Sequence, residues 1–217
     1  YGNWFIRRYK SGIFYIKNPF NASQVKIIDF RNEHIKCIVF WTKNAKPFID
    51  SLKEIHTPFY FLYTITNYGK IFEPFVPEIK DTIKTFKNLS SLVGPDRVVW
   101  RYDPIIFTSY FDEKWHLKNF EFLCKNLSKY TEKCIVSFLY MYKKCWKNLK
   151  SFEIENKSEE KVKLMIKLLE EIAYNNGIEI NWCCVDNNYL NNNSIIASCI
   201  NIKIIEKLSG FRLLKLK

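Results

Sequence analysis

Apolar residues gather along this chain into short runs rich in β-branched and aromatic side chains: FYIKNP (14–19), CIVFWT (37–42), FYFLYTIT (59–66), RVVWRYD (97–103), CIVSFLY (134–140) and IEINWCC (178–184). The runs are nearly continuous rather than alternating, as strands covered on both faces tend to be. Between the later ones the spacing changes to that of amphipathic helices. In PEIKDTIKTFKNL, Pro77 suits a first helical turn, and Ile79, Ile83, Phe86 and Leu89 share one face. In DEKWHLKNFEFLCKNL, Asp112 is placed to cap a helix whose stripe is His116, Phe120, Leu123 and Leu127. In SEEKVKLMIKLLEEIAYNNG, Ser158 can cap, Val162, Met165, Leu169 and Ile172 form the stripe, and Gly177 can take the left-handed stop. YGNWFIRRYKSG at the start and INIKIIEKL (200–208) near the end also read as helical.

Strand and helix in alternation argue for an α/β fold with a parallel sheet and helices outside it. No Pro/Gly/Ser-rich linker divides the chain, so residues 1–217 are expected to form a single domain. A closed eight-stranded barrel takes about 250 residues. Six visible strands therefore predict a TIM-like partial (β/α) barrel with parallel strands. An open doubly wound sheet is the competing arrangement, but it usually carries a Gly-rich phosphate turn after an early strand, and a chain with 6 Gly shows none. The polar stretch NNYLNNN (187–193) is expected to be a loop at one mouth of the sheet.

Composition sharpens this picture in three ways. Apolar residues make up 47% and aromatics 17%, too much for a disordered chain. Every apolar run is broken before the length of about 18 residues that a membrane span needs, and no signal peptide is visible. Seven Cys (37, 124, 134, 145, 183, 184 and 199) lack the spacing of a disulfide scaffold, and several sit inside strand-like runs where they would pack as small hydrophobes. A reducing cytoplasm is the expected location. The formal net charge of +12 raises the question of nucleic acid, although scattered Lys on a solvated surface gives the same number.

In parallel α/β folds ligands bind at the C-terminal ends of strands, and those ends are polar here. The successive runs close in Thr42, Lys43 and Asn44; in Thr64, Thr66 and Asn67; in Arg101 and Asp103; at Ser137; and in Cys183 and Cys184. Residues i and i+2 of a strand share a face, so Arg101 and Asp103 point together while Trp100 and Tyr102 face the helices. The pair could bind an anionic group, orient a base, or simply close the barrel as an ion pair. Lys43 is a candidate anion contact or a snorkelling surface lysine. Thr64 and Thr66 could hydrogen-bond a ligand or satisfy strand ends. Ser137 has no His near it in sequence to make it a nucleophile. Cys183 and Cys184, as strand neighbours, would point to opposite faces and could share an ion only if the backbone bends; Cys199 could join either, and buried apolar thiols are the alternative. His34, His56 and His116 are isolated, and no metal set is assigned from spacing.

Several segments together carry a resemblance: KNPFN (17–21), IVFWTKNAKPF (38–48), YTITNYG (63–69) with EPFVP (73–77), GPDRVVWRYDPI (94–105), WHLKNFE (115–121), YTEKCIVSF (130–138) and ASCINIKIIEKL (197–208). In this order the chain resembles a bacterial family labelled domain of unknown function 1848. That family is similar to radical S-adenosylmethionine enzymes. The resemblance implies a TIM-like partial barrel, S-adenosylmethionine and a four-iron-four-sulfur cluster held by a Cys-x3-Cys-x2-Cys run. No such run occurs in these residues, so the cluster is expected beyond Lys217, and the start of the chain is expected to lack a first strand. Where Cys-Ile-Asp is expected after the loop, the chain has Cys199, Ile200 and Asn201. Carried over by position, the expected ligand-binding residues are Trp41, Lys43, Asn44, Thr64, Thr66 and Cys199, with Arg101 and Asp103 in a catalytic role.

Three functions follow as expectations. The first is the core of a radical S-adenosylmethionine-like enzyme of unknown small-molecule substrate. The second is a nucleic-acid-binding or DNA-repair-related barrel that uses the basic charge. The third is a cluster-free hydrolase or isomerase built on Arg101 and Asp103, for which no second carboxylate or His is spaced to complete an acid/base pair.

Overall fold

The computed structural model describes residues 2–31, 35–141, 149 and 152–213; His34 and Cys145 lie outside these. The centre is a six-stranded sheet of β3 (Ile38–Thr42), β4 (Phe59–Thr64), β5 (Val98–Ile105), β6 (Lys133–Phe138), β7 (Glu179–Trp182) and β8 (Ile195–Ile196). Neighbours in the chain are neighbours in the sheet, and every pairing is parallel. Parallel neighbours require crossovers. A 3-10 segment (Lys46–Glu54), α2 (Ile79–Val93), α3 (Glu113–Leu127) and α4 (Glu159–Asn175) lie in four of them. The sheet is open, with β3 and β8 at its edges, and its order never reverses, so it is not doubly wound.

Two features differ from the sequence-based expectation. FYIKNP is not the first strand of this sheet. It lies in β1 (Ile13–Asn18), which follows α1 (Gly2–Ser11) and pairs antiparallel with β2 (Asn21–Asp29) as a separate hairpin. The sixth strand of the sheet is instead the two-residue β8, just after the polar stretch, in which Asn187–Tyr189 form a 3-10 turn capped by the Asp186 side chain.

The two faces of the sheet have different partners because strand side chains alternate. Phe61, Tyr63, Trp100, Tyr102, Cys134, Val136 and Trp182 face the helices and join Phe86 and Leu89 of α2, Phe120 and Leu123 of α3, and Ile166 and Leu169 of α4. Each fully buried large apolar side chain here contributes about 1.5–3 kcal/mol. Trp100 stacks on Phe120 at 5.0 Å and donates its indole N–H to the Ile65 carbonyl at 3.0 Å. Cys124 and Cys134 belong to this layer, where burial pushes the Cys124 thiol up to about 12 and keeps it protonated.

On the opposite face Tyr60, Leu62, Val99, Ile135 and Cys183 are covered by Ile204, Ile205 and Leu208 of α5 (Ile202–Ser209). Asn201 caps this helix by accepting from the backbone N–H groups of Lys203 and Ile204. An Asn serves there as well as an Asp, so the departure from Cys-Ile-Asp leaves the helix start intact. Among the described residues, no helix is long and apolar enough to cross a membrane.

Candidate functional site

Past the apolar rows covered by α5, the same face of the sheet turns polar. Thr64, Arg101 and Ile135 sit in one register row across β4, β5 and β6. Asp103 stands two residues beyond Arg101, on the same face. The Arg101 guanidinium pairs with the Asp103 carboxylate, and the side chains of both are largely buried, at 18% and 17% exposure. Asp103 also accepts from the Ser137 hydroxyl at 2.5 Å. The guanidinium carbon lies 5.3 Å from the centroid of the Trp41 ring, a cation–π contact with an exposed indole. Burial pushes the Arg101 pKa below its ordinary value against the pull of Cys183, Cys199, Cys134 and Cys184, and the group remains a cation at neutral pH. Four strands thus contribute to one constellation: Trp41, Arg101 with Asp103, Ser137, and the thiols after β7. β5 itself continues through Pro104 to Ile105, two residues past the run RVVWRYD read from the sequence.

Lys43, Thr66 and Asn44 stand apart from this centre. Lys43 is paired with Glu73, and Glu73 also accepts from the Thr66 hydroxyl at 2.9 Å. The Asn44 side chain accepts from the Lys46 backbone N–H at 3.0 Å, which closes a turn. Thr64, Thr66 and Glu73 border a cavity of about 40 Å³, room for a few waters. A larger cavity of about 320 Å³ opens beyond β5 and β6, lined by Phe107, Phe138, Lys157, Cys184, Asp186 and Tyr189 among others. That volume falls in the range of small-molecule sites.

The three thiols after β7 converge. The Cys183 sulfur is 3.3 Å from that of Cys199 and 3.6 Å from that of Cys184, and all three lie within 4.8 Å of one another. The bend that two neighbouring cysteines need in order to meet is present: β7 ends at Trp182 and Cys184 has φ 56, in the left-handed region. Cys183 is buried while Cys184 and Cys199 are exposed. Burial, followed by its hydrogen bonds to the other two thiols, pushes the Cys183 thiol up to about 12.

The family model described as a domain of unknown function (DUF1848) matches residues 1–217. The chain belongs to the DUF1848 family. No curated protein and no solved structure matches this DUF1848 chain.

For two participants no sign of the partner stands in the sequence. Glu73, the first residue of EPFVP, reaches Lys43 and Thr66 from the segment between β4 and α2, a pairing that its local pattern does not give. Ser137 gains its partner Asp103 from the neighbouring strand rather than from a nearby His. His116 was visible as part of a helix stripe, and it belongs to a buried polar network on the helix side. Its Nε2 meets the Ile106 carbonyl at 3.0 Å, and its Nδ1 meets the Tyr102 hydroxyl at 2.9 Å. Asn119 donates to that hydroxyl at 3.1 Å and to the Thr66 carbonyl at 2.9 Å, tying α3 to the ends of two strands.

Proposed function

We propose that this DUF1848 chain is the ligand-binding core of a radical S-adenosylmethionine-like enzyme, in which the open sheet forms the wall of a TIM-like partial barrel with its polar face inward. The carrying observation is Arg101, a largely buried cation at a strand end, held between the Asp103 carboxylate and the Trp41 ring. A guanidinium fixed in this way is suited to a carboxylate of a small organic ligand, and the exposed indole offers a flat face to an apolar or aromatic part. A partly buried ion pair contributes little to stability by itself, which favours a binding role over a structural one. The six free cysteines among the described residues suit the reducing cytoplasm.

The four-iron cluster does not fit these residues. Thiolates bound to three corners of an iron–sulfur cube diverge from one another, whereas Cys183, Cys184 and Cys199 crowd together as ligands of a single ion would. The described residues therefore bind and orient; Arg101 receives the carboxylate, Asp103, itself held by the Ser137 hydroxyl, keeps the guanidinium in place, and Trp41 covers one face of it.

S-adenosylmethionine and 5′-methylthioadenosine, which lacks the amino-acid portion and the sulfonium charge, compare the ligand with and without its carboxylate, and an Arg101 variant isolates the part that the guanidinium reads. In isothermal titration the parent chain is expected to prefer S-adenosylmethionine by about 10- to 100-fold, the worth of one charge-assisted hydrogen bond. Arg101→Gln should remove that preference. Equal binding of the two nucleosides by the parent, or an unchanged preference in the variant, would remove Arg101 from the site.

A further inference from the structure

We propose that Cys183, Cys184 and Cys199 form a binding site for one zinc-class ion, with three thiolate ligands and the fourth position open. A zinc–sulfur bond of about 2.3 Å places tetrahedral sulfur ligands about 3.8 Å apart. The separations of 3.3 and 3.6 Å from Cys183, with all three sulfurs inside 4.8 Å, need only small side-chain adjustments to reach that geometry. An all-sulfur donor set selects soft and borderline ions over magnesium or calcium.

The backbone is arranged for this convergence. The left-handed conformation of Cys184, φ 56, is uncommon for a residue with a side chain, and it brings two consecutive cysteines to one point. Both cysteine-bearing segments are anchored to the sheet. Cys183 donates its backbone N–H to the Val136 carbonyl at 2.9 Å, and Ala197 donates to the Trp182 carbonyl at 2.8 Å. Asn201, two residues past Cys199, donates its backbone N–H to the Tyr60 hydroxyl at 3.1 Å. The thiols therefore meet on a prepared frame.

Burial and charge also fit an ion. Cys183 closes the inner side of the site, while the exposure of Cys184 and Cys199 provides entry and leaves the fourth position to water or an incoming ligand. A divalent ion with three thiolates carries a net charge of −1. The Arg101 guanidinium, already paired with Asp103, lies near enough to all three cysteines to favour their thiolate forms. Cys184 also lines the cavity of about 320 Å³, so space for a small molecule adjoins one of the three ligands.

Cobalt(II), which adopts the same tetrahedral sulfur geometry and is visible by absorption, tests the site in the reduced, metal-free 217-residue chain under anaerobic conditions. One equivalent should give a sulfur-to-cobalt charge-transfer band and the intense visible absorption of tetrahedral cobalt, and one equivalent of zinc should displace it. Cys199→Ser, an exposed position, should lose the charge-transfer intensity while far-UV circular dichroism stays unchanged, and Cys37→Ala should keep it. Absent or weak octahedral cobalt absorption in the fully reduced chain, or an undiminished band in Cys199→Ser, would overturn the site. So would cysteines that pair as a disulfide and take up no cobalt after reduction. No nucleoside is present in this titration, so its failure would leave the Arg101 site standing, and failure of the Arg101 site would leave this one standing.

Discussion

Asp103→Ala is expected to lower the unfolding free energy by about 2–3 kcal/mol at neutral pH, because it leaves the largely buried Arg101 guanidinium without its counter-charge. Two further losses point the same way. The Ser137 hydroxyl loses the acceptor it reaches at 2.5 Å, and the guanidinium is left with the Trp41 ring as a weaker partner. The joint replacement Arg101→Met with Asp103→Leu should behave differently. Apolar side chains of similar volume remove both charges at once, so the double variant is expected within about 1 kcal/mol of the parent. Urea denaturation of the parent, the single and the double variants measures both quantities. An Asp103→Ala variant as stable as the parent would mean that solvent already screens the pair.

A second large effect comes from the opposite face of the sheet. Stability should fall as pH drops from about 6.5 to about 4, and His116 should account for about 3 kcal/mol of that loss. Burial pushes the imidazole pKa down to about 4, against the Ile106 carbonyl and the Asp112 and Glu113 carboxylates, which raise it. The Ile106 carbonyl can only accept, so Nε2 carries the proton, Nδ1 accepts from the Tyr102 hydroxyl, and that hydroxyl accepts from Asn119. A second proton on the ring has no acceptor in this arrangement. The sign follows from linkage: between the two pKa values the unfolded chain holds the extra proton and the native one does not, so acid favours unfolding. The contribution is complete above about pH 7 and gone below about pH 4. His116→Gln keeps a donor and an acceptor but does not titrate, so its stability curve should lack this component while retaining that of the carboxylates. Parallel pH curves for parent and variant would show that His116 does not couple to folding.

Strands buried on both faces were legible because FYFLYT has no charged position to misplace it, and the three long amphipathic helices were legible from their stripes. The hairpin was not. IFYIKN looks like any other apolar run, and its partner NASQVKIID is exposed and polar over most of its length, so local pattern says nothing about which strand it joins. β8 is two residues long and carries no periodicity at all. In the site, Arg101 and Asp103 could be paired from sequence because the period of a strand decides their common face. Lys43 could be named but not its partner, since Glu73 arrives through the path of the chain. For the cysteines the condition, a backbone bend, was legible, but not that Cys184 would supply it.

The Arg101–Asp103 pair is proposed to bind a ligand carboxylate rather than to hold the sheet together. The most direct measurement is the affinity of the folded Arg101→Met, Asp103→Leu double variant for S-adenosylmethionine, read beside its urea midpoint. A midpoint near that of the parent with affinity reduced at least about 10-fold is the expected result. Parental affinity in the double variant, or a loss of stability as large as that of Asp103→Ala, would contradict it.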